Sequence, residues 1–194
     1  MSTDTDQQLI DLSLNGNINA FAKLVEKYKH MVYTVAFRMV KRREEAEEVA
    51  QDTFLNAYNN LSKFKKRSKF STWLYRIVYN KSLDYLKSNK NRSTLELDAI
   101  EKYVGPTDES FFENIDREER KEIIKGALNK LSPKDNALVV FFYFEELSLK
   151  EISKIMGLKE NAIKVRLFRC RQQLAAILSE RLAPETIKCY EGRR

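Results

Sequence analysis

Apolar residues recur along this chain in alternating steps of three and four, the spacing of helices that each bury one face. A short opening helix carries Leu9, Ile10 and Leu14 and stops at the polar break Asn15-Gly16-Asn17. A longer one follows, with Phe21, Leu24, Val25, Tyr28, Val32, Val35 and Met39 on a single face. The device repeats in Ala46, Val49, Ala50, Thr53, Phe54, Ala57 and Leu61, and again from Phe70. In this fourth helix two stripes compete, Trp73 with Ile77 and Tyr75 with Tyr79 and Leu86. Periodicity alone does not choose the inward one.

The pattern lapses over 93–115, where Glu96, Asp98, Glu101, Asp108, Glu109 and Glu113 stand against Lys102 alone around Gly105-Pro106. This stretch reads as an acidic tether between two helical domains; the alternative is an irregular excursion within one domain. Helical spacing resumes at Ile123, Ile124, Ala127, Leu128 and Leu131. Ser132, Pro133 and Asp135 then form a helix start: a cap, a proline in the first turn, and a carboxylate near the positive end. Ser148 and Glu151 repeat the capping-box spacing. The expected fold is all-α, with small helical domains over 1–92 and 116–183, a flexible acidic linker over 93–115 and a tail over 184–194. Only 5 Gly and 3 Pro among 194 residues leave little room for the tight turns of an all-β chain.

Charge adds a direction. Lys and Arg number 35 against 28 Asp and Glu, a net charge of +7, which favours an anionic partner such as nucleic acid. Catalytic arrangements are missing. No glycine belongs to a GxxxxGK loop, His30 stands mid-helix with no Cys or second His nearby, and Glu44, Glu45, Glu47 and Glu48 read as a solvated face. Cys170 and Cys189 offer neither metal spacing nor a disulfide framework, and Cys170 reads as a small buried hydrophobe. No cofactor, metal, small-molecule substrate or enzymatic activity is therefore expected. The polar start MSTDTDQQLIDL is unlike a signal peptide. The longest apolar run, ALVVFFYF at 137–144, is far short of the roughly 20 residues that span a bilayer. The expectation is a soluble, cytoplasmic protein.

Residues 151–171, EISKIMGLKENAIKVRLFRCR, hold the clearest binding unit. Leu149, Ile152 and Met156 stripe its first helix, Ser153 is small where a second helix could cross closely, and Gly157 permits a tight left-handed corner. Ile163, Leu167, Cys170, Leu174 and Ile177 stripe the second helix, so Asn161, Lys164, Val165, Phe168 and Arg169 point away. That is the pattern of a helix-turn-helix, whose second helix enters the DNA major groove; a plain hairpin with a cationic face is the alternative. Lys164 and Arg169 suit guanine acceptors and Phe168 a thymine methyl. Lys159, at the helix start, and Arg166 and Arg171, nearer the stripe's flanks, suit phosphates. A second basic zone is different in kind. Lys63, Lys65, Lys66, Arg67, Lys69, Arg76, Lys81, Lys87, Lys90 and Arg92 interleave with Phe64, Phe70, Trp73, Tyr75, Tyr79 and Tyr85, against Asp84 alone. Such a surface suits single-stranded DNA, cations on phosphates and rings on unpaired bases, unless the rings are core.

Three stretches in this order carry a resemblance: EEAEEVAQDTFLNAYNNLSKF (44–64), KFSTWLYRIVYNKSLDYLK (69–87) and LSLKEISKIMGLKENAIKVRLFRCRQQL (147–174). Through them nearly the whole chain resembles a sigma-70 family factor of the small extracytoplasmic function (ECF) group, the promoter-recognition subunit of bacterial RNA polymerase. The resemblance implies that Gln51, Asp52, Phe54, Leu55 and Tyr58 dock on the clamp helices of the largest catalytic subunit of core polymerase. It implies that the loop from Leu61 to Phe70, with Phe64, Lys65, Arg67 and nearby Asn80, captures a base flipped from the −10 element. Trp73, Tyr75 and Arg76 match the strand-separating segment, and Asn161, Lys164, Val165, Phe168 and Arg169 the reader of the −35 element. It further implies a linker threaded toward the RNA exit channel. An anti-sigma protein, often membrane-bound in this family, is the implied restraining partner and would hold the factor at the inner membrane face. Two departures stand out: Asn161-Ala162 where the family often has Gly-Thr, and Val165 where serine is common. The rival classes are a dimeric regulator that binds a palindrome without polymerase, and a DNA-processing enzyme such as a recombinase, for which the chain shows no nucleophile with a metal or arginine cluster.

Overall fold

The computed structural model describes residues 5–89 and 117–179. The expected linker over 93–115 and tail over 184–194, with Lys90, Arg92 and Cys189, lie outside the described residues. Within them every regular element is a helix: α1 (Asp6–Leu14), α2 (Ile18–Val40), α3 (Arg43–Asn59), a 3-10 turn (Leu61–Lys63), α4 (Phe70–Ser88), α5 (Arg117–Asn129), α6 (Pro133–Val139) running into a π turn (Val140–Phe144), α7 (Leu149–Met156) and α8 (Glu160–Ser179). The all-α expectation is met. Two compact units divide the chain, the first built on α1–α4 and the second on α5, α6 and α8, with α7 leading into α8.

In the first unit α2 is the central helix, and α1, α3 and α4 all pack against it. This explains why its last turns are buried almost all round, at Val32, Val35, Ala36, Phe37, Met39 and Val40, where a one-sided helix would bury a single stripe. Asn17 caps its start, its side chain accepting from the Ala20 N–H at 3.1 Å, and Lys41 ends it in the left-handed conformation (φ 64°). Thr5 caps α1 in a reciprocal box with Gln8, each such cap contributing about 1 kcal/mol. Leu14, placed on α1's inward stripe by spacing, is instead exposed at the helix end. In α4 the competition between stripes is resolved: Tyr75 and Tyr79 turn inward with Leu74 and Val78, while Trp73 and Ile77 stay half-buried.

The second unit gathers α5 and α6 against α8. Ser132 starts α6 as expected, its hydroxyl accepting from the Asp135 N–H at 3.2 Å, with Pro133 in the first turn. Buried Asn136 donates to the Leu128 carbonyl at 2.9 Å, joining the Leu131 N–H, at 3.1 Å, on one of the last carbonyls of α5. Leu138 and Phe141 are wholly buried. Past Val139 the helix widens into its π turn, which closes with the Glu145 N–H on the Val140 carbonyl at 3.0 Å, and Glu146 (φ 50°) then turns the chain toward α7. Ser148 and Glu151 form the expected capping box, Glu151 N–H to Ser148 Oγ at 3.3 Å and Ser148 N–H to Glu151 Oε2 at 3.0 Å. The corner between α7 and α8 turns on Gly157, whose φ of 68° falls where only glycine sits without strain. A side chain there would meet nothing within 4 Å, so the backbone conformation, not space, requires the glycine. Ser153 does more than leave room: its hydroxyl donates to the Leu158 carbonyl at 2.6 Å and pins the corner.

Candidate nucleic-acid and protein interfaces

Helix α8 is sharply two-sided. Ile163, Leu167, Cys170 and Ile177 are buried, and on the opposite side Asn161, Lys164, Val165, Phe168 and Arg169 are all exposed. Steps of four, three and four line Asn161, Val165, Phe168 and Gln172 along the middle of that outer face, with Lys164 and Arg169 flanking it. Gln172 was not singled out by spacing, although it continues the same row. Val165 is 53% and Phe168 54% exposed, an apolar pair in the open. Lys159, at the start of α8, and Arg171 are exposed as well.

Arg166 is a correction. It lies on the flank turned toward α6, half-buried, and its guanidinium Nε donates to Asp135 Oδ1 at 2.5 Å. Its guanidinium therefore braces α8 within the unit, where a phosphate ligand would point outward. Asp135 does three things at once: its N–H meets the Ser132 cap, its Oδ2 accepts from the Ser132 hydroxyl, and its Oδ1 accepts from Arg166 and lies 3.5 Å from Cys170 Sγ. Burial pushes the Asp135 carboxyl up, but the hydrogen bonds from Arg166 and Ser132 outweigh it and hold the group below the usual carboxylate range. Burial, and the carboxylate beside it, push the Cys170 thiol up to about 12. The thiol thus stays protonated and packs as a hydrophobe.

In the first unit the outer row of α3 is Gln51, Leu55 and Tyr58, opposite buried Val49, Thr53 and Ala57. Leu55 is 62% exposed, and Tyr58 keeps an open edge while packing against Phe21 at 4.9 Å. Phe54 is half-buried on one flank, and Asp52 on the other pairs with Lys81 of α4 at 3.5 Å. The row thus sets two exposed apolar side chains, Leu55 and Tyr58, on an otherwise polar outer face.

On α4 the exposed face carries Trp73, Arg76 and Asn80, continuing the line from Lys69 at the helix cap. Lys65 and Arg67 are exposed on the loop that leads into it. Phe64 and Trp73, both half-buried, approach at 5.3 Å. Two residues are corrected. Phe70 is buried, backing that pair at 5.7 Å from Phe64 and 5.6 Å from Trp73, and Tyr75 is buried on the inward side. Neither ring has a face open to a base; both are core. The loop is shaped at Lys66, which is left-handed (φ 55°) and pairs with Asp11 of α1 at 3.1 Å. Among the described residues no cluster of His, Cys, Asp and Glu could hold a metal ion. No helix there is long and apolar enough to cross a membrane.

Comparison with known proteins decides the family. Residues 24–92 match the family model of sigma-70 region 2, and residues 121–174 that of sigma-70 region 4. The chain is 33% identical over 170 residues to the ECF RNA polymerase sigma factor SigW of Bacillus subtilis, an alignment covering 82% of this chain and 89% of the relative. This chain belongs to the ECF group of the sigma-70 family. As a sigma factor it acts in transcription initiation. It is likewise 32% identical over 177 residues to the ECF RNA polymerase sigma-E factor of Salmonella typhimurium, covering 88% of this chain and 92% of that one. Its fold is shared with CnrH, solved in complex with the cytosolic domain of CnrY, at a TM-score of 0.65 and 24% identity, over 91% of this chain and 99% of CnrH. Region 2 thus contains the α3 and α4 surfaces, and region 4 contains α8 as far as Leu174.

Proposed function

We propose that this sigma factor reads the −35 element as duplex with α8 and the −10 element as melted strand with the outer face of α4 and its leading loop. The outer row of α3 docks on core polymerase. The observation that carries the reading is the clean division of α8, five exposed side chains of mixed cationic and apolar chemistry opposite a buried stripe. A helix of that kind, held at its start by a pinned corner, is suited to lie in a major groove with its first turns on base edges.

The two surfaces have complementary tasks. Duplex contact at −35 sets register, while unstacking a −10 base costs a few kcal/mol and is offset by stacking on a ring, about 1–3 kcal/mol per base. Trp73 and Phe64 are the rings placed for it, Arg76, Lys65 and Arg67 the phosphate partners, and Asn80 a hydrogen-bonding side chain on the same face. Lys159 and Arg171 hold phosphates beside −35. Neither surface carries out bond chemistry; the polymerase makes the RNA, and the factor contributes binding energy to a strained state of DNA. In this reading the domains run over 1–92 and 116–183 with 93–115 as the linker between them, and the factor works in the cytoplasm. An anti-sigma protein, often membrane-bound in the family, restrains it.

Purified chain, core polymerase and promoter DNA together test the proposal. Specific initiation only in the presence of the chain is expected. Tight binding to a palindrome without polymerase, with half-sites about one helical turn apart and no effect on initiation, would favour a dimeric regulator instead. Co-purification from the native cell tests the anti-sigma partner.

A further inference from the structure

Helix α1 lies ahead of the residues that match region 2, and none of the surfaces proposed above includes it. It is nonetheless fixed in place. Leu9, Ile10 and Ser13 are buried, and Asp6 accepts from the Tyr28 hydroxyl and from Lys27, both at 2.5 Å. Asp11 stands exposed on the other side of the helix. Its Oδ1 accepts from Gln7 Nε2 at 2.9 Å and from Lys66 Nζ at 3.1 Å. The hydrogen bond from Gln7, then that from Lys66, holds the Asp11 carboxyl below the usual carboxylate range. Lys66 belongs to the loop that leads into α4, as the middle member of the cationic run Lys65-Lys66-Arg67. Its φ of 55° is left-handed, a conformation that a residue with a side chain keeps only where its surroundings impose it. Asp11, 55 residues away in sequence, supplies that constraint. It also draws the middle charge out of a like-charge run and leaves Lys65 and Arg67 exposed on either side.

We infer that Asp11 and Lys66 are positioning residues for −10 capture: the pair clamps the loop from Phe64 to Lys69 onto α1 and so fixes where Lys65, Arg67 and the Phe64 ring meet an unstacked base. Neither residue touches DNA in this role. A loop held in shape beforehand has less freedom to lose when the base arrives. This inference rests on the proposed −10 reading and adds to it what holds the capturing loop.

The test uses the full chain loaded on core polymerase and promoter duplexes whose −10 stretch is an unpaired bubble of randomised sequence. The wild-type holoenzyme defines a selected bubble sequence and a preference for it over a scrambled one. Asp11→Asn makes the chain more cationic, so charge alone would tighten binding to both bubbles. Loss of the clamp should instead lower the preference about threefold, the size of an exposed ion pair, and Lys66→Asp should lower it as well. The double reversal Asp11→Lys, Lys66→Asp keeps the net charge, pairs the two positions the other way round and should recover the preference, since aspartate is tolerated in the left-handed region. Both side chains are about half exposed, and the Asp11→Asn measurement stands without the double variant. A preference unchanged in Asp11→Asn, or lost in both single variants and not recovered in the double, overturns the inference and leaves promoter-directed initiation standing. A wild-type holoenzyme indifferent to the bubble sequence overturns the −10 reading itself, and the inference with it.

Discussion

Replacing Arg166 with alanine separates two roles that one arginine on a recognition helix can have. If it brings α8 to DNA, its loss weakens −35 binding in a salt-dependent way and leaves the free protein's stability alone. If it braces α8 on α6, its loss acts on the fold. The structure favours the brace. The guanidinium Nε lies 2.5 Å from Asp135 Oδ1, with side-chain exposures of 30% and 21% for the two partners. A charge-assisted bond between partly buried groups contributes about 2 kcal/mol, and its loss leaves the Asp135 carboxylate with the Ser132 hydroxyl as its remaining strong donor. In a unit of this size that corresponds to a fall in Tm of about 10 °C for the transition of the second unit. Exposed Arg171, five residues on, is the internal control. Arg171→Ala should leave Tm within about 1 °C and reduce the slope of log K against log salt by about 1.

The assays are thermal unfolding of the free chain and titration of −35 duplex across a salt series. The brace has a pH signature too. Because the folded Asp135 carboxyl is held below its unfolded value, its contribution is present above the unfolded pKa, about 4, and is lost as pH falls through the folded one. The stability gap between wild type and Arg166→Ala should therefore close as the solution is acidified below about pH 4. An Arg166→Ala variant of unchanged Tm with a salt slope reduced by about 1 would refute the reasoning and restore Arg166 to the phosphates.

Four more outcomes are expected. Glu146 is left-handed at φ 50°, a conformation costing a residue with a side chain about 1–2 kcal/mol, so Glu146→Gly should stabilise the second unit by about 0.5–1 kcal/mol in thermal unfolding; a loss would mean the Glu146 side chain contributes more than the strain. With Cys189→Ser in place, the Cys170 thiol, pushed up to about 12, should react with an alkylating reagent at pH 8 far more slowly in the native chain than in urea, and equal rates would contradict its burial. The stability tied to that neutral thiol is present below the unfolded thiol pKa and is lost as pH rises toward 12. Leu55→Asp, at a residue 62% exposed, should weaken core-polymerase binding by about tenfold or more without lowering Tm, whereas unchanged binding would move the docking surface off α3. Asn80→Ala should impair promoter opening or −10 selection and keep core binding, which a pull-down with core polymerase checks directly.

Much of this was legible in the residues because helices announce themselves locally. The caps at Ser132 and Ser148, the glycine corner at Gly157 and the outward group on α8 depend on neighbours within four positions, and each stands where spacing placed it. What spacing could not supply depends on which helices meet. Tyr75 and Trp73 are both compatible with an inward stripe, and only the packing of α4 on α2 and α3 sends Tyr75 inside. Phe70 looked like a stacking ring because it sits among lysines, yet Tyr28 of α2 lies 5.6 Å from it and claims that side of the ring. The pairing of Arg166 escapes helical spacing for the same reason. Its partner Asp135 is 31 residues away in sequence, beyond the reach of any helical period.

That long-range pair also bears on how α8 is aimed. Asp135 starts α6 through the Ser132 cap and grips α8 through Arg166, so the first turn of one helix and the rotation of the other share a single carboxylate. Rotating α8 about its axis to bring Arg166 outward would break that grip, expose the buried Ile163–Leu167–Cys170 stripe and carry Val165 and Phe168 off the middle of the outer face. The apolar stripe alone resists such a rotation without selecting an angle finely, since hydrophobic burial has no direction. A short charge-assisted hydrogen bond is directional, and here it sets the angle at which α8 offers its middle row. If α8 reads −35 duplex as proposed, loosening it at Asp135 should therefore blur preference among −35 sequences before it abolishes binding, because phosphate contacts from the exposed Lys159 and Arg171 would tolerate a turn of the helix that base-edge contacts would not.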